Sequence, residues 1–305
     1  IYPNTNDLVK LVANTKNDSL SKEKSAIMHN KFYIFDNKIV ITGSARGLGY
    51  ELSKVFRRNN YNVVLSDIME EKLEKAKGEL EESIKTESKV LAVACDVTKE
   101  ADLQNLMNKT MEEFKGVDVW INNAGVNQPM IPIWEVETDS INRLIDIDLK
   151  SAIIGSKIAM NQMIKQGYGQ IYGIEGYGSN DAMMLGLSVY GTSKRGLTYF
   201  FRALAKEVEE KNLPIKIGVL APGIMITDFI THSMGNDAFE LPERTKKVYN
   251  ILGDYPDVIA EFLVSKIIVN NKNNVKFNWL TNRKASFRFM TSSFNKRDFF
   301  NKLTD

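Results

Sequence analysis

The chain has 305 residues, 43% of them hydrophobic and 26% charged, with a formal net charge of +2. That length supports one large α/β core, and so even a charge balance gives no general drive toward nucleic acid, so no such partner is expected. A single cysteine, Cys95, cannot form an internal disulfide and fits a cytoplasmic location, while His29 and His232 stand too far apart to suggest a metal site.

Residues 1–37 are rich in Asn, Lys, Ser and Thr and lack an apolar core of signal-peptide length. They are expected to form a mobile extension without chemistry, with Met28 a candidate start. Lys38–Thr42 is a short apolar run of the kind found in buried parallel strands. Gly43, Gly47 and Gly49 follow, then a helix with Leu52, Val55 and Phe56 at its apolar positions. Tyr61–Ser66 reads as a second strand ending on Asp67, and Glu70–Lys85 as a charged, solvated helix. Val90–Cys95 is a third strand ending on Asp96, Ala101–Phe114 a helix, and Val117–Ile121 a fourth strand running into Asn122-Asn123-Ala124-Gly125. Ser140–Gln166 reads as one long helix and Gln170–Ile174 as a fifth strand. The helix carrying Tyr190 and Lys194 comes next, then Ile215–Leu220 as a sixth strand before Pro222-Gly223. Pro256–Val269 is helical, and Val275–Leu280 reads as the last strand.

Strands alternating with helices at this spacing predict a three-layer α/β/α, Rossmann-type doubly wound parallel sheet. A single domain is expected over residues 38–280, including a substrate loop at 224–250. Ligands of such sheets bind beyond the carboxyl ends of the strands. Each unusual cluster in this sequence falls at one of those ends.

The turn Thr42-Gly43-Ser44-Ala45-Arg46-Gly47-Leu48-Gly49 joins a strand to a helix, where glycines permit a tight turn and close approach of backbone to a pyrophosphate. Asp67 closes the next strand, where a carboxylate can bond the ribose hydroxyls of NAD and would repel the extra phosphate of NADP. Arg46 pulls the other way, since a guanidinium near this turn can grip that phosphate. Asp67 is weighted more heavily, so NAD(H) is the expected cofactor and NADP(H) the alternative. Tyr190 and Lys194 stand four residues apart, one above the other on one helix face. An ammonium beside a phenol favours the phenolate and lowers the phenol pKa, which makes the pair a proton-transfer device.

The glycine turn, Asp96-Val97, Asn122-Asn123-Ala124-Gly125, Tyr190-x-x-x-Lys194 and Pro222-Gly223 occur in one chain in that order. Together they resemble the short-chain dehydrogenase/reductase family. The resemblance implies hydride transfer between a nicotinamide and a carbonyl or alcohol substrate. It implies that Gly43, Ser44, Arg46, Gly47, Leu48, Gly49 and Asp67 hold the cofactor, with Asp96 and Val97 at its adenine. By the same resemblance Asn122, Asn123, Ala124 and Gly125 shape the cofactor floor, and Pro222, Gly223, Met225 and Thr227 meet the carboxamide. Lys194 would bind the nicotinamide ribose and lower the pKa of Tyr190, the general acid and base.

Two positions depart from the family pattern. The usual Ser thirteen residues before the Tyr is Tyr177 here, or Gly176 if one residue is inserted, which leaves Ser179 as the nearest candidate hydroxyl. Glu175 is an alternative contact for a polar substrate group. Asp148 stands where the family has Asn, which bears on the relay to the lysine. The loop Glu175–Ser179, Trp279-Leu280-Thr281 and the tail resemble the chlorophyll b reductase-like branch and its bacterial relatives. From Lys272 to Asp305 basic residues interleave with aromatics. The segment 281–305 is therefore expected either to pack on its own chain or on a second copy in a homo-oligomer, or to touch an anionic membrane surface. The alternative to an enzyme is a cofactor-sensing or membrane-surface protein that keeps the fold and has lost turnover. The apolar run Met183, Met184, Leu185 and Leu187 suggests a hydrophobic substrate.

Overall fold

The computed structural model describes residues 37–226 and 243–300. Among them are seven strands, β1 (Lys38–Thr42), β2 (Asn62–Asp67), β3 (Val90–Ala94), β4 (Val119–Asn122), β5 (Gly169–Ile174), β6 (Ile215–Ala221) and β7 (Val275–Asn278). They form one parallel sheet in the order β3-β2-β1-β4-β5-β6-β7. Helices fill the connections: α1 (Gly47–Arg58), α2 (Glu70–Ser83), α3 (Glu100–Phe114), α4 (Thr138–Ile145), α5 (Ser151–Gln166), α6 (Ser188–Glu210), α7 (Glu243–Leu252), α8 (Pro256–Ile268) and α9 (Asn282–Thr291).

The strands nearest the middle of the sheet are mostly apolar and buried because both of its faces are covered. In β1, Ile39 and Ile41 enter a core shared with Leu52, Phe56 and Leu263 from α1 and α8. Val40, between them, points into the other core with Leu106, Met160 and Phe201 from α3, α5 and α6. That alternation is the period-2 geometry of a strand. The sheet order reverses direction at β1, between β2 and β4, so the crevice for a ligand opens at the carboxyl ends of those strands.

The long helix expected over Ser140–Gln166 is continuous but carries an irregularity. A π turn at Asp146–Lys150 joins α4 to α5 without leaving the right-handed helical region of backbone. Such turns widen a helix by one residue and often mark functional sites. Here the turn carries Asp148 into the interior.

Part of the expected substrate loop is helical, as α7. The basic segment after β7 forms α9 and then folds back. Asp254, between α7 and α8, accepts from Trp279 Nε1 at 2.6 Å and pairs with Arg288 at 2.7 Å and Arg297 at 3.0 Å. Arg297 also donates to the carbonyls of Ile251 and Gly253. Phe299 and Phe300 are buried against Tyr255 and Tyr249. Packing on its own chain therefore claims Arg288, Arg297, Phe299 and Phe300, while Phe287 and Phe294 stay exposed. The extension at 1–36 lies outside the described residues.

Candidate active site

Between β1 and α1 the backbone makes room for a nucleotide. Gly43 has φ +63°, and a Cβ there would lie 2.8 Å from Ala124 Cα; one on Gly49 would lie 2.5 Å from the Gly43 carbonyl oxygen. Those two glycines let the turn close on itself. Gly47 also has positive φ (+59°), but a Cβ there would enter open space. It begins α1, whose first turn holds no acidic residue. Open volume against helix N–H groups is where a pyrophosphate fits, so the residues present suit an NAD(P)(H) cofactor.

Asn123 secures this cradle. Its side-chain amide donates to the carbonyls of Thr42 and Gly43, both at 2.8 Å. The Thr42 hydroxyl accepts the N–H groups of Asn123 and Ala124 at 3.1 Å. Ser44, assigned by resemblance to the cofactor, is turned away from it. Its hydroxyl donates to the Ile41 carbonyl and accepts the Ser66 N–H, each at 2.8 Å, and its N–H is spent on the Ser66 carbonyl. It clips β1 to β2. Leu48 is likewise buried in the core, while Arg46 is exposed beside the cradle.

Asp67 lies at the end of β2 and accepts N–H bonds from Ala45 at 3.3 Å and Met69 at 3.1 Å, which fixes its carboxylate beside the turn. Asp96 and Val97 follow β3. Burial works to raise the Asp96 carboxyl, but bonds from Thr98 and the charge of Lys99 outweigh it and hold the group below its ordinary range. Asn122, in β4, is wholly internal: Trp120 donates to its Oδ1 at 3.0 Å and its Nδ2 donates to Ser156 Oγ at 3.0 Å.

Tyr190, Lys194 and Asp148 meet beyond the ends of β4 and β5, and all three are buried. Lys194 Nζ lies 2.8 Å from Asp148 Oδ2 and 5.5 Å from the centre of the Tyr190 ring. The other Asp148 oxygen accepts the Val126 N–H at 2.7 Å. A Cβ on Gly125 would stand 3.4 Å from Asp148 and 3.6 Å from Lys194 Nζ, so this glycine flanks the pair. Burial disfavours the Lys194 ammonium, but Asp148 and the phenol oppose that and leave its pKa raised. Burial also raises the Tyr190 phenol; Lys194 pulls it down, Asp148 pushes it up, and the balance stays above the ordinary value. Lys194 thus does pull the tyrosine pKa down, as the sequence suggested, but burial outweighs it and Asp148 adds to the rise. The Lys194 charge itself is paired with Asp148.

The missing serine is resolved by distance. A Cβ on Gly176 would fall 2.3 Å from the Tyr190 hydroxyl oxygen, so Gly176 occupies the place beside the phenol where the family pattern has a hydroxyl. Ser179 does not replace it. Its Oγ accepts the Gly176 N–H at 3.2 Å and donates to the Lys194 carbonyl at 3.3 Å, so it clasps the loop to α6 and leaves the substrate oxygen alone. Glu175 turns into the protein, accepting from Thr198 at 3.1 Å and pairing with Lys276 at 2.6 Å. Gln128, which no motif marks, also belongs to the site. Its buried side chain accepts the Tyr190 N–H and donates to the Gly186 carbonyl, both at 2.7 Å. It ties the start of α6 to the loop before it.

After β6, Pro222 is buried and Gly223 has φ +76°, with room taken by Leu280. Met225 bridges to Asp254, which anchors the segment entering the expected substrate loop. Thr227 lies outside the described residues.

A parallel sheet with a nucleotide cradle at its switch point and a buried phenol–ammonium–carboxylate set at the adjoining strand ends places the chain among dinucleotide-binding doubly wound α/β proteins. More narrowly, the chain belongs to the short-chain dehydrogenase family, whose model matches residues 37–237. It is 27% identical over 281 residues to a probable chlorophyll(ide) b reductase of Arabidopsis thaliana, covering 87% of this chain and 55% of the relative. It is 32% identical over 235 residues to carbonyl reductase family member 4 of Xenopus tropicalis, covering 73% of this chain and 94% of that protein. The chain spans about half the length of the chlorophyll(ide) b reductases first matched, at 55% and 49%. The crystal structure of levodione reductase shares the fold, with a TM-score of 0.69 at 24% identity over 79% of this chain and 96% of that one.

Proposed function

We propose that the chain is an NAD(P)(H)-dependent reductase of a lipophilic carbonyl compound, with NADH preferred and Tyr190 as the proton donor. The observation that carries this is the buried Tyr190–Lys194 pair beside the nucleotide cradle. When bound, the nicotinamide supplies the hydride. Tyr190 gives its hydroxyl proton to the carbonyl oxygen, and Lys194 holds charge beside the phenolate that forms. The NADH preference rests on Asp67, whose fixed carboxylate would face a 2′-phosphate.

The substrate class is read from the lip of the site. Met130, Ile133 and Trp134 from the segment after β4, and Tyr177, Met183 and Leu185 from the segment after β5, are all exposed. The two segments abut where Gly186 packs on Met130, and Tyr177 donates to the Met183 carbonyl at 3.0 Å. Exposed apolar groups gathered on two abutting segments suit an apolar ligand. Exposed Ile153, Ile164 and Tyr199 on α5 and α6 support a homo-oligomer. The free, buried Cys95, with its thiol pushed up to about 11 by burial, accords with the cytoplasm.

The test is oxidation of NADH and of NADPH over a panel of lipophilic aldehydes and ketones, with Tyr190→Phe alongside. Carbonyl-dependent turnover, faster with NADH and reduced roughly 10²–10⁴-fold in the variant, is expected. Cofactor binding without turnover of any carbonyl would replace this reading with a cofactor sensor.

A further inference from the structure

Asp148 is a carboxylate where the neighbouring chemistry requires only a hydrogen-bonding group. Its side chain has no exposure, and its two oxygens are placed differently: one on the Val126 N–H at 2.7 Å, the other on Lys194 Nζ at 2.8 Å. A neutral amide could accept the same N–H. What the carboxylate adds is a full negative charge against Lys194, the cation over the Tyr190 ring. At close range in a buried site an unmatched ammonium draws a phenol toward its anion, and a matched one does so far less.

Among the described residues, Lys194 and Asp148 are the charged groups that act on Tyr190. From α6 itself the titratable neighbour of Tyr190 is Lys194, and from the π turn it is Asp148. Leu144 from α4 shares an apolar cluster with Tyr190, against which Ile141 of α4 and Val126 from the segment after β4 also pack. The loop after β5 brings Gly176 and Ser179, which are uncharged, while Glu175 faces Thr198 and Lys276 instead.

We propose that Asp148 is a positioning residue that pairs with Lys194 and so, added to the burial of the ring, holds Tyr190 as a phenol through neutral pH, setting the site to donate a proton to carbonyls rather than take one from alcohols. This rests on the oxidoreductase reading above. In reduction the proton leaves the Tyr190 hydroxyl for the carbonyl oxygen as that oxygen receives the C=O electron pair, and solvent water returns a proton to the phenolate. In oxidation the phenol must first be ionised, and the ion pair opposes that step.

The experiment titrates the full chain, without cofactor or substrate, by NMR of tyrosines labelled with ¹³C at Cζ. The Tyr190 signal is identified by its loss in Tyr190→Phe. In the wild type it should keep its phenol shift up to and beyond the ordinary value of about 10. In Asp148→Asn, which keeps the shape and an acceptor for Val126, it should titrate at least about one pH unit lower. The pH of half-maximal alcohol oxidation should move down by the same amount. A Tyr190 phenolate in the wild type below pH about 9 overturns the proposal even if the variant fails to fold. So does an unchanged titration in a folded variant. Absence of turnover with every carbonyl and alcohol would sink the oxidoreductase reading instead, and the titration would still decide what Asp148 does to Tyr190.

Discussion

Asp148 and Asp254 are both buried carboxylates paired with cations, yet they do different work. Asp254 is saturated by two guanidiniums and an indole N–H, in a place where nothing waits to react. Asp148 has one ammonium and one backbone N–H, and that ammonium lies over the ring of a buried phenol. A buried ion pair is thus not a mark of a reactive site in itself, since structural networks perturb titration as well. The distinguishing feature is a titratable third group that the pair acts on and that a substrate can meet.

The comparison can be broken at the active site by Gly176→Ser. On the family pattern a serine there should help, but its Cβ would sit 2.3 Å from the Tyr190 hydroxyl oxygen. The phenol must move, and carbonyl turnover should fall roughly 10²-fold, read as kcat/KM. A gain in turnover would show that the phenol has another resting place. Asp254→Asn sharpens the contrast from the other side. It leaves Arg288 and Arg297 short of a counter-charge and should cost about 2 kcal/mol in denaturant unfolding, with the Tyr190 titration unmoved. A shifted titration would mean that the two networks communicate.

Taken group by group, the smallest expected effect is at alkaline pH. Burial raises the phenols of Tyr190, Tyr172 and Tyr249, and that of Tyr61 to about 12. These groups resist ionising in the folded state, so the stability they contribute is complete below the unfolded value of about 10 and is lost as pH rises toward the folded values. Each such phenol should cost about 1.4 kcal/mol per pH unit in that window. Melting curves between pH about 9 and about 11 should show it, and Tyr190→Phe should lessen the slope by one group's share.

Most of the sheet was readable from the chain because parallel strands buried on both faces are short, unbroken apolar runs between glycine and Asp/Asn punctuation. β1, β2 and β5 lie within a residue of their expected limits. The π turn was not readable, since Leu144, Ile145 and Ala152 continue a helical apolar pattern straight through it. Tyr190 and Lys194 were readable because their partnership is local, one helical turn apart. The roles of Gly176, Ser179 and Gln128 were hidden because each depends on a distance across the fold: a glycine beside a phenol, a hydroxyl spent on a carbonyl of another element, an amide reaching 62 residues along the chain. The Asp254 network joins residues 43 apart and has no periodicity to betray it.

Because translation runs from the N-terminus and domains form as they emerge, Asp254 leaves the ribosome before either guanidinium that will neutralise it. The nucleotide-binding half, β1 to β4, is complete in sequence well before that point. Until Arg288 is made the nascent protein carries an uncompensated carboxylate, and until Phe299 and Phe300 follow it has two open aromatic seats at Tyr249 and Tyr255. A premature stop between Asn278 and Arg297 would therefore yield a polypeptide with a finished sheet and an unclosed flank. Chaperones and proteases could read that flank as the sign of a truncated product.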